Sequence, residues 1–159
     1  MSKTLVAYFS ASGATERLAN TLAGATGGEL YEIKPASPYT NADLNWNNKQ
    51  SRSSVEMNDK AARPAIAVPV ENMLQYDVVF VGFPIWWYEA PRIVQTFLES
   101  YDFSGKTVIP FATSGGSGMG KTASILEKSC PAAKVLPGKK LSASASMNEV
   151  SSWIKSLGL

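Results

Sequence analysis

Contiguous apolar runs separated by stretches of helical spacing organise this chain. Thr4–Phe9, Leu30–Ile33, Val78–Phe83 and Thr107–Ala112 each read as a strand, and a weaker strand lies around Lys134–Leu136, resuming near Leu141. Their apolar positions are continuous rather than alternating, the pattern of strands covered on both faces of a parallel sheet. Apolar residues recur at helical spacing over Thr15–Ala25, Pro91–Tyr101, Gly120–Ser129 and Met147–Leu157. In the second of these Ile93, Val94, Phe97 and Leu98 share a face, and in the last Val150, Trp153, Ile154 and Leu157 point inward. Alternation of this kind builds an α/β fold, a three-layer sandwich around a five-stranded parallel sheet.

One segment breaks the rhythm. Lys34 to Pro69 is polar, holds prolines at 35, 38, 64 and 69, and shows little periodicity where a second helix is expected. Val70–Gln75 supplies one short turn of it. An irregular stretch of this length is a functional flap or a disordered insert. Leu44, Trp46 and Met57 favour an ordered flap, because they are poor residues to leave in water.

A chain of 159 residues, 45% of them hydrophobic, suits one domain spanning 1–159 with a single core system. The apolar runs are far shorter than the roughly 20 residues of a membrane span, and Lys3 leads straight into a strand with no cleavage pattern. A cytoplasmic protein is expected. Cys130 is the only cysteine, which excludes an internal disulfide, a thiolate-held cluster and a C-x-x-C pair. It reads as buried filler. With no histidine in the chain, Ser-His-Asp and Cys-His catalysis fall away, so chemistry must come from carboxylates or a bound cofactor. The formal charge is +2, and lysines 106, 121, 128, 134, 139, 140 and 155 face only Glu127 and Glu149 after Ser104. No basic run interleaved with aromatics argues for a nucleic acid.

Ligands of open parallel sheets bind beyond the carboxyl ends of the strands. Three loops there carry chemistry. After the first strand comes Ser10-Ala11-Ser12-Gly13-Ala14-Thr15, a hydroxyl-rich turn entering a helix. Its backbone N–H groups, the helix start and three hydroxyls suit a phosphate. No lysine or arginine lies within it, so the anion would be held by neutral dipoles. After the third strand comes Pro84-Ile85-Trp86-Trp87-Tyr88-Glu89-Ala90-Pro91, placed to stack on a flat ring. Trp86 and Trp87, being consecutive on an extended loop, point in opposite directions: one is expected to meet the ligand and the other to pack inward or against a second subunit. After the fourth comes Thr113-Ser114-Gly115-Gly116-Ser117-Gly118-Met119-Gly120, whose glycines allow close backbone approach to a ring edge.

Gly115, Gly120, Lys121 and Thr122 also fit the Walker-A spacing, which makes nucleoside triphosphate hydrolysis a rival reading. No aspartate follows Thr122, and Asp77 begins its strand instead of ending it, so the metal-binding partner of that motif is missing.

With the three loops in this order, the chain resembles the flavodoxin family over essentially its whole length, VAYFSASGAT, VFVGFPIWWYEAP and PFATSGGSGMG above all. The resemblance implies strand order 2-1-3-4-5 and FMN as cofactor; flavodoxin is the standing example of that order. It implies that Ser10, Ala11, Ser12, Gly13, Ala14 and Thr15 hold or shape the phosphate site. Pro84, Ile85, Trp86, Trp87 and Tyr88 would line the isoalloxazine, and Thr113, Ser114, Gly115, Gly116 and Gly118 would meet its pyrimidine edge. No catalytic side chain and no metal are implied. The implied function is electron transfer through bound flavin, with an FMN-dependent NAD(P)H:acceptor (quinone or nitro) oxidoreductase as the alternative.

The chain departs from the family in three ways. Flavodoxins are typically acidic and this chain is slightly basic, which points to an acidic-faced redox protein or a small electron acceptor as partner. The loop after the fourth strand has no aromatic residue to cover the outer flavin face. No glycine lies between Pro84 and Pro91, where flavodoxins often use one beside the flavin, which implies a weakly populated flavin radical and a bias to two-electron chemistry. The expected assembly is a monomer or a weak homodimer.

Overall fold

The structure is a computed structural model that describes residues 3–113 and 118–159. Strands β1 (Lys3–Tyr8), β2 (Glu29–Glu32), β3 (Tyr76–Pro84) and β4 (Thr107–Thr113) carry the sheet. A fifth strand is split into β5 (Lys134–Val135) and β6 (Lys139–Lys140). All pairings are parallel, in the order β2-β1-β3-β4-β5, with β6 also on β4. The expected order 2-1-3-4-5 is therefore the order found. Helices α1 (Ala14–Thr26), α3 (Arg92–Glu99), α4 (Thr122–Ser129) and α5 (Met147–Ser156) coincide with the four predicted from periodicity.

Strand geometry explains the three layers, because successive side chains leave a strand on opposite faces. Leu5, Ala7, Val79, Val81, Phe83, Val108 and Ala112 pack with Ile93, Val94, Phe97 and Leu126 of α3 and α4. Their neighbours Val6, Tyr8, Phe80, Ile109 and Phe111 pack with Leu18, Leu22, Val150 and Trp153 of α1 and α5. Trp153 sets its ring edge-to-face against Phe80 at 6.0 Å. Cys130 is buried, and desolvation, with Glu127 nearby, pushes its thiol up to about 11.

Gly82 on β3 lies opposite Phe111 on β4. A Cβ there would sit 2.2 Å from Cζ of the Phe111 ring, which is fully buried. Gly82→Ala should therefore cost about 2 kcal/mol by overpacking, read as a lower urea midpoint with an unchanged slope.

The break in the fifth strand has its cause in β4. The carbonyls of Val108 and Ala112 accept from Leu136 N and Leu141 N at 2.9 and 2.8 Å. Pro110, between them on the same edge, has no N–H to return. Register shifts by one residue between Val108↔Val135 and Phe111↔Lys139. Gly138 takes the slack at φ 76°, where a Cβ would come within 2.3 Å of the Pro110 carbonyl oxygen.

The segment 34–69 is less irregular than its composition suggests. It contains a seven-residue helix, α2 (Arg52–Asn58), capped by Ser51, whose side chain accepts from Ser54 N. Four prolines and short polar stretches hid a helix too brief to show an apolar period. An antiparallel bridge, Pro35↔Ile66, closes the flap's base. Met57 is buried as expected; Trp46 is not, being 70% exposed. A short 3-10 turn, Met73–Gln75, then leads into β3.

Candidate functional site

The chain leaves β1 for β2 on one side, while β3 lies on the other, so the sheet's switch point falls between β1 and β3. The hydroxyl turn sits there. Ser10 Oγ accepts from Gly13 N at 3.0 Å, which folds the turn on itself and leaves the hydroxyl proton free to donate. Gly13 holds the cap position of α1 at φ 95°, with no side-chain cap and nothing within 4 Å of where a Cβ would stand. Serines 51 and 146 cap α2 and α5, while α3 and α4, like α1, start without a side-chain cap. The uncapped start of α1 presents amides whose intrahelical partners do not exist, and their dipoles favour an anion.

Thr15, the second residue of α1, is buried and pairs hydroxyl to hydroxyl with Thr113 at 2.8 Å. This bond reaches from the turn after β1 to the end of β4, across the tip of β3. One hydroxyl must donate, so the other keeps a proton for a further acceptor. Ser12 and Gly13 are exposed, while Ser10, Ala11 and Ala14 are half-buried.

Beyond Pro84 the chain makes a hairpin instead of an extended loop. Trp86 N donates to Glu89 O at 2.8 Å and Glu89 N to Trp86 O at 3.0 Å. The two residues at its tip, Trp87 and Tyr88, have φ 49° and 64°. That is the pattern of a type I′ turn, which ordinarily takes Asn and Gly. The turn that glycine makes easily is thus built here from two bulky aromatics. Tyr88 is 68% exposed, so its ring contributes little packing. Tyr88→Gly should stabilise the protein by about 1 kcal/mol by relieving the left-handed strain, measured by urea unfolding.

The two indoles of the hairpin have different surroundings. Trp86 meets Phe9 and Tyr39 edge-to-face, at 5.7 and 5.6 Å between centroids. Trp87 is 44% exposed and faces the flap. Tyr39 is itself pinned: Arg52 lies 3.8 Å over its ring, and its hydroxyl donates to Glu56. Burial and that hydrogen bond raise the phenol well above its usual range. Ile85 N donates to Thr113 O at 2.9 Å, tying the hairpin's root to β4.

Of the loop after β4, Ser114, Gly115 and Gly116 lie outside the described residues. Gly118 is exposed, with open space at its Cβ position. Thr122 argues against triphosphate chemistry. It is fully buried, with its hydroxyl shared between the carbonyls of Met119 and, at 3.4 Å, Tyr88, so its oxygen is shut away from a solvated metal ion. Gly120, at φ 55°, has its missing Cβ 3.3 Å from the same Tyr88 carbonyl. The glycine and threonine of that motif thus brace the aromatic hairpin.

A residue the sequence did not single out holds these parts together. Arg92, at the start of α3, is 2% exposed. Its Nη1 binds Glu89 Oε1 at 2.9 Å and Gln95 Oε1 at 3.3 Å. Its Nη2 binds Met57 O at 2.8 Å, and Nε lies 3.3 Å from both Glu56 O and Asp59 O. One guanidinium therefore joins the hairpin to the C-terminal carbonyls of α2. A cation in the first turn of a helix opposes the helix dipole, and that mismatch was the signal available in the sequence.

The fold and these residues define a doubly wound α/β protein with a hydroxyl-rich turn at its switch point. The flavodoxin family profile matches residues 3–157, and the chain belongs to that family. A crystal structure from Bacteroides eggerthii, provisionally assigned as a flavoprotein, is 53% identical over 100% of this chain and 99% of that one, with a TM-score of 0.92. One of the same description from Bacteroides uniformis is 51% identical over 97% and 98%, also at 0.92. A flavoprotein from Lactobacillus acidophilus in complex with FMN is 22% identical over 97% and 99%, at 0.75, a likeness that shows the fold alone. No curated protein sequence matches the chain.

Proposed function

We propose that this chain binds FMN and transfers electrons through it. The observation that carries the reading is the uncapped start of α1, with left-handed Gly13 and the hydroxyls of Ser10 and Thr15, at the switch point of the sheet. Its chemistry fits a phosphate monoester: amide and hydroxyl donors are gathered in it, and no carboxylate lies within the turn. The relative from Lactobacillus acidophilus, solved with FMN, supports the same cofactor here. Bound FMN supplies the one- and two-electron redox chemistry that the protein's side chains lack.

The chain's own residues bind and orient. Ser10, Ser12, Thr15 and the amides of Ala14 and Thr15 would take the phosphate. Trp86 is engaged on Phe9 and Tyr39, so Trp87 is the tryptophan with ring surface to offer. The Ile85 link to Thr113 ties the root of the hairpin to the end of β4 beside the site. The partner is a redox protein or a small electron acceptor, and the setting is the cytoplasm. Among the described residues no helix is long and apolar enough to cross a membrane.

An NAD(P)H:acceptor oxidoreductase is the second reading, favoured by a loop after β4 that carries no aromatic cover. Purified protein should be yellow and retain flavin through gel filtration; colourless protein that takes up no FMN would refute the first reading. Steady oxidation of NADPH with a quinone would establish the second, and absence of turnover would leave the carrier.

A further inference from the structure

Trp46 is a large apolar side chain left in water on an ordered turn. The turn is fixed by Asn48 N donating to Asn45 O and Asn47 N to Asn45 Oδ1, both at 3.1 Å. Its ring is 70% exposed, and it shares a groove of about 520 Å³ with Trp87 of the hairpin. Asn47, Lys49, Ser54 and Asn58 line the rest. Ser54 is spent on the flap itself, donating to Asn48 O at 2.8 Å. That leaves the Trp46 indole, the flap-facing side of Trp87, two carboxamides and one ammonium.

We propose that this groove binds a planar aromatic anion of one or two fused rings. The volume lies in the range of small-molecule sites, and exposed indoles offer stacking surface to a flat ring. Among the described residues Lys49 is the one charged residue lining the groove and no carboxylate lines it, so a ring with a negative substituent is favoured over a neutral or cationic one. The carboxamides of Asn47 and Asn58 can donate to that substituent or to a ring carbonyl. Trp87 belongs at once to the groove and to the hairpin beside the cofactor site, which puts the bound ring next to the redox centre. That use of the groove rests on the flavin reading; its occupancy does not.

Equilibrium dialysis of the FMN-loaded full chain against 2-naphthoate, with 2-naphthamide as the neutral comparison, tests the idea. Saturable one-to-one binding is expected, with the anion preferred about threefold. Trp46→Ala should weaken it about tenfold, with an unchanged melting temperature because the ring is mostly in water. Lys49→Gln should abolish the preference for the anion and leave naphthamide binding intact. No saturable binding, indifference to both substitutions, or binding that FMN displaces would overturn the proposal, the last by giving the groove to the flavin ring itself. Flavin retention is read separately from visible absorbance. If the wild type keeps no flavin, the FMN reading fails, and dialysis of the same chain still decides the groove.

Discussion

Arg92→Met should cost about 3–5 kcal/mol of stability, the range for removing one partner of a buried ion pair. The methionine nearly fills the volume but leaves the carbonyls of Glu56, Met57 and Asp59 and the carboxylate of Glu89 without the guanidinium that serves them. Arg92→Lys should recover only part of the loss, because an ammonium cannot reach both the hairpin and the end of α2 as a planar fork does. The loss should appear locally as well as globally. Limited proteolysis should cut the variant within 34–69 well before the sheet unfolds, since Arg92 is the buried polar link from α2 to α3, and the Pro35↔Ile66 bridge, the Tyr39 packing and the Arg63–Glu99 pair lie elsewhere on the flap. A variant with wild-type urea midpoint and an uncut flap would show that the clamp contributes nothing.

The hydrophobic pattern was enough to locate all four long helices and the strand order's setting, because burial on two faces leaves continuous apolar runs. It failed where tertiary contacts, rather than local pattern, decide the conformation. Helix α2 is held by the Ser51 cap and by Arg92 from another element, so its own seven residues show little period. The hairpin after β3 is not legible in the sequence, since nothing in Trp87-Tyr88 announces a left-handed turn. Its conformation is fixed by Thr122, Gly120 and Glu89 around it. Trp46 was expected to be buried on the general cost of exposing an indole, and its exposure is therefore the informative exception. The hydroxyl turn, by contrast, is a local device, and its residues lie in the strand-to-helix turn where the sequence placed them.

The turn also gives the sharpest functional expectation. Ser10→Ala combined with Thr15→Ala should weaken FMN binding by about 3 kcal/mol, more than a hundredfold, from lost hydrogen bonds to a charged group. Part of any Thr15 effect is indirect, because Thr113 loses its buried hydroxyl partner. Thr113→Val isolates that part: it breaks the same 2.8 Å bond while leaving Thr15 in place. Riboflavin separates the phosphate from the ring, since it lacks the group the turn is meant to hold. The double variant should bind riboflavin as the wild type does, and Lys121→Ala should bind FMN unchanged. A cradle without a cation should also make FMN affinity nearly insensitive to salt, whereas a lysine-held phosphate would lose affinity as screening rises. If riboflavin binding fell in step with FMN binding, the turn would be shaping the ring site and not gripping an anion, and the neutral-cradle account would have to be given up.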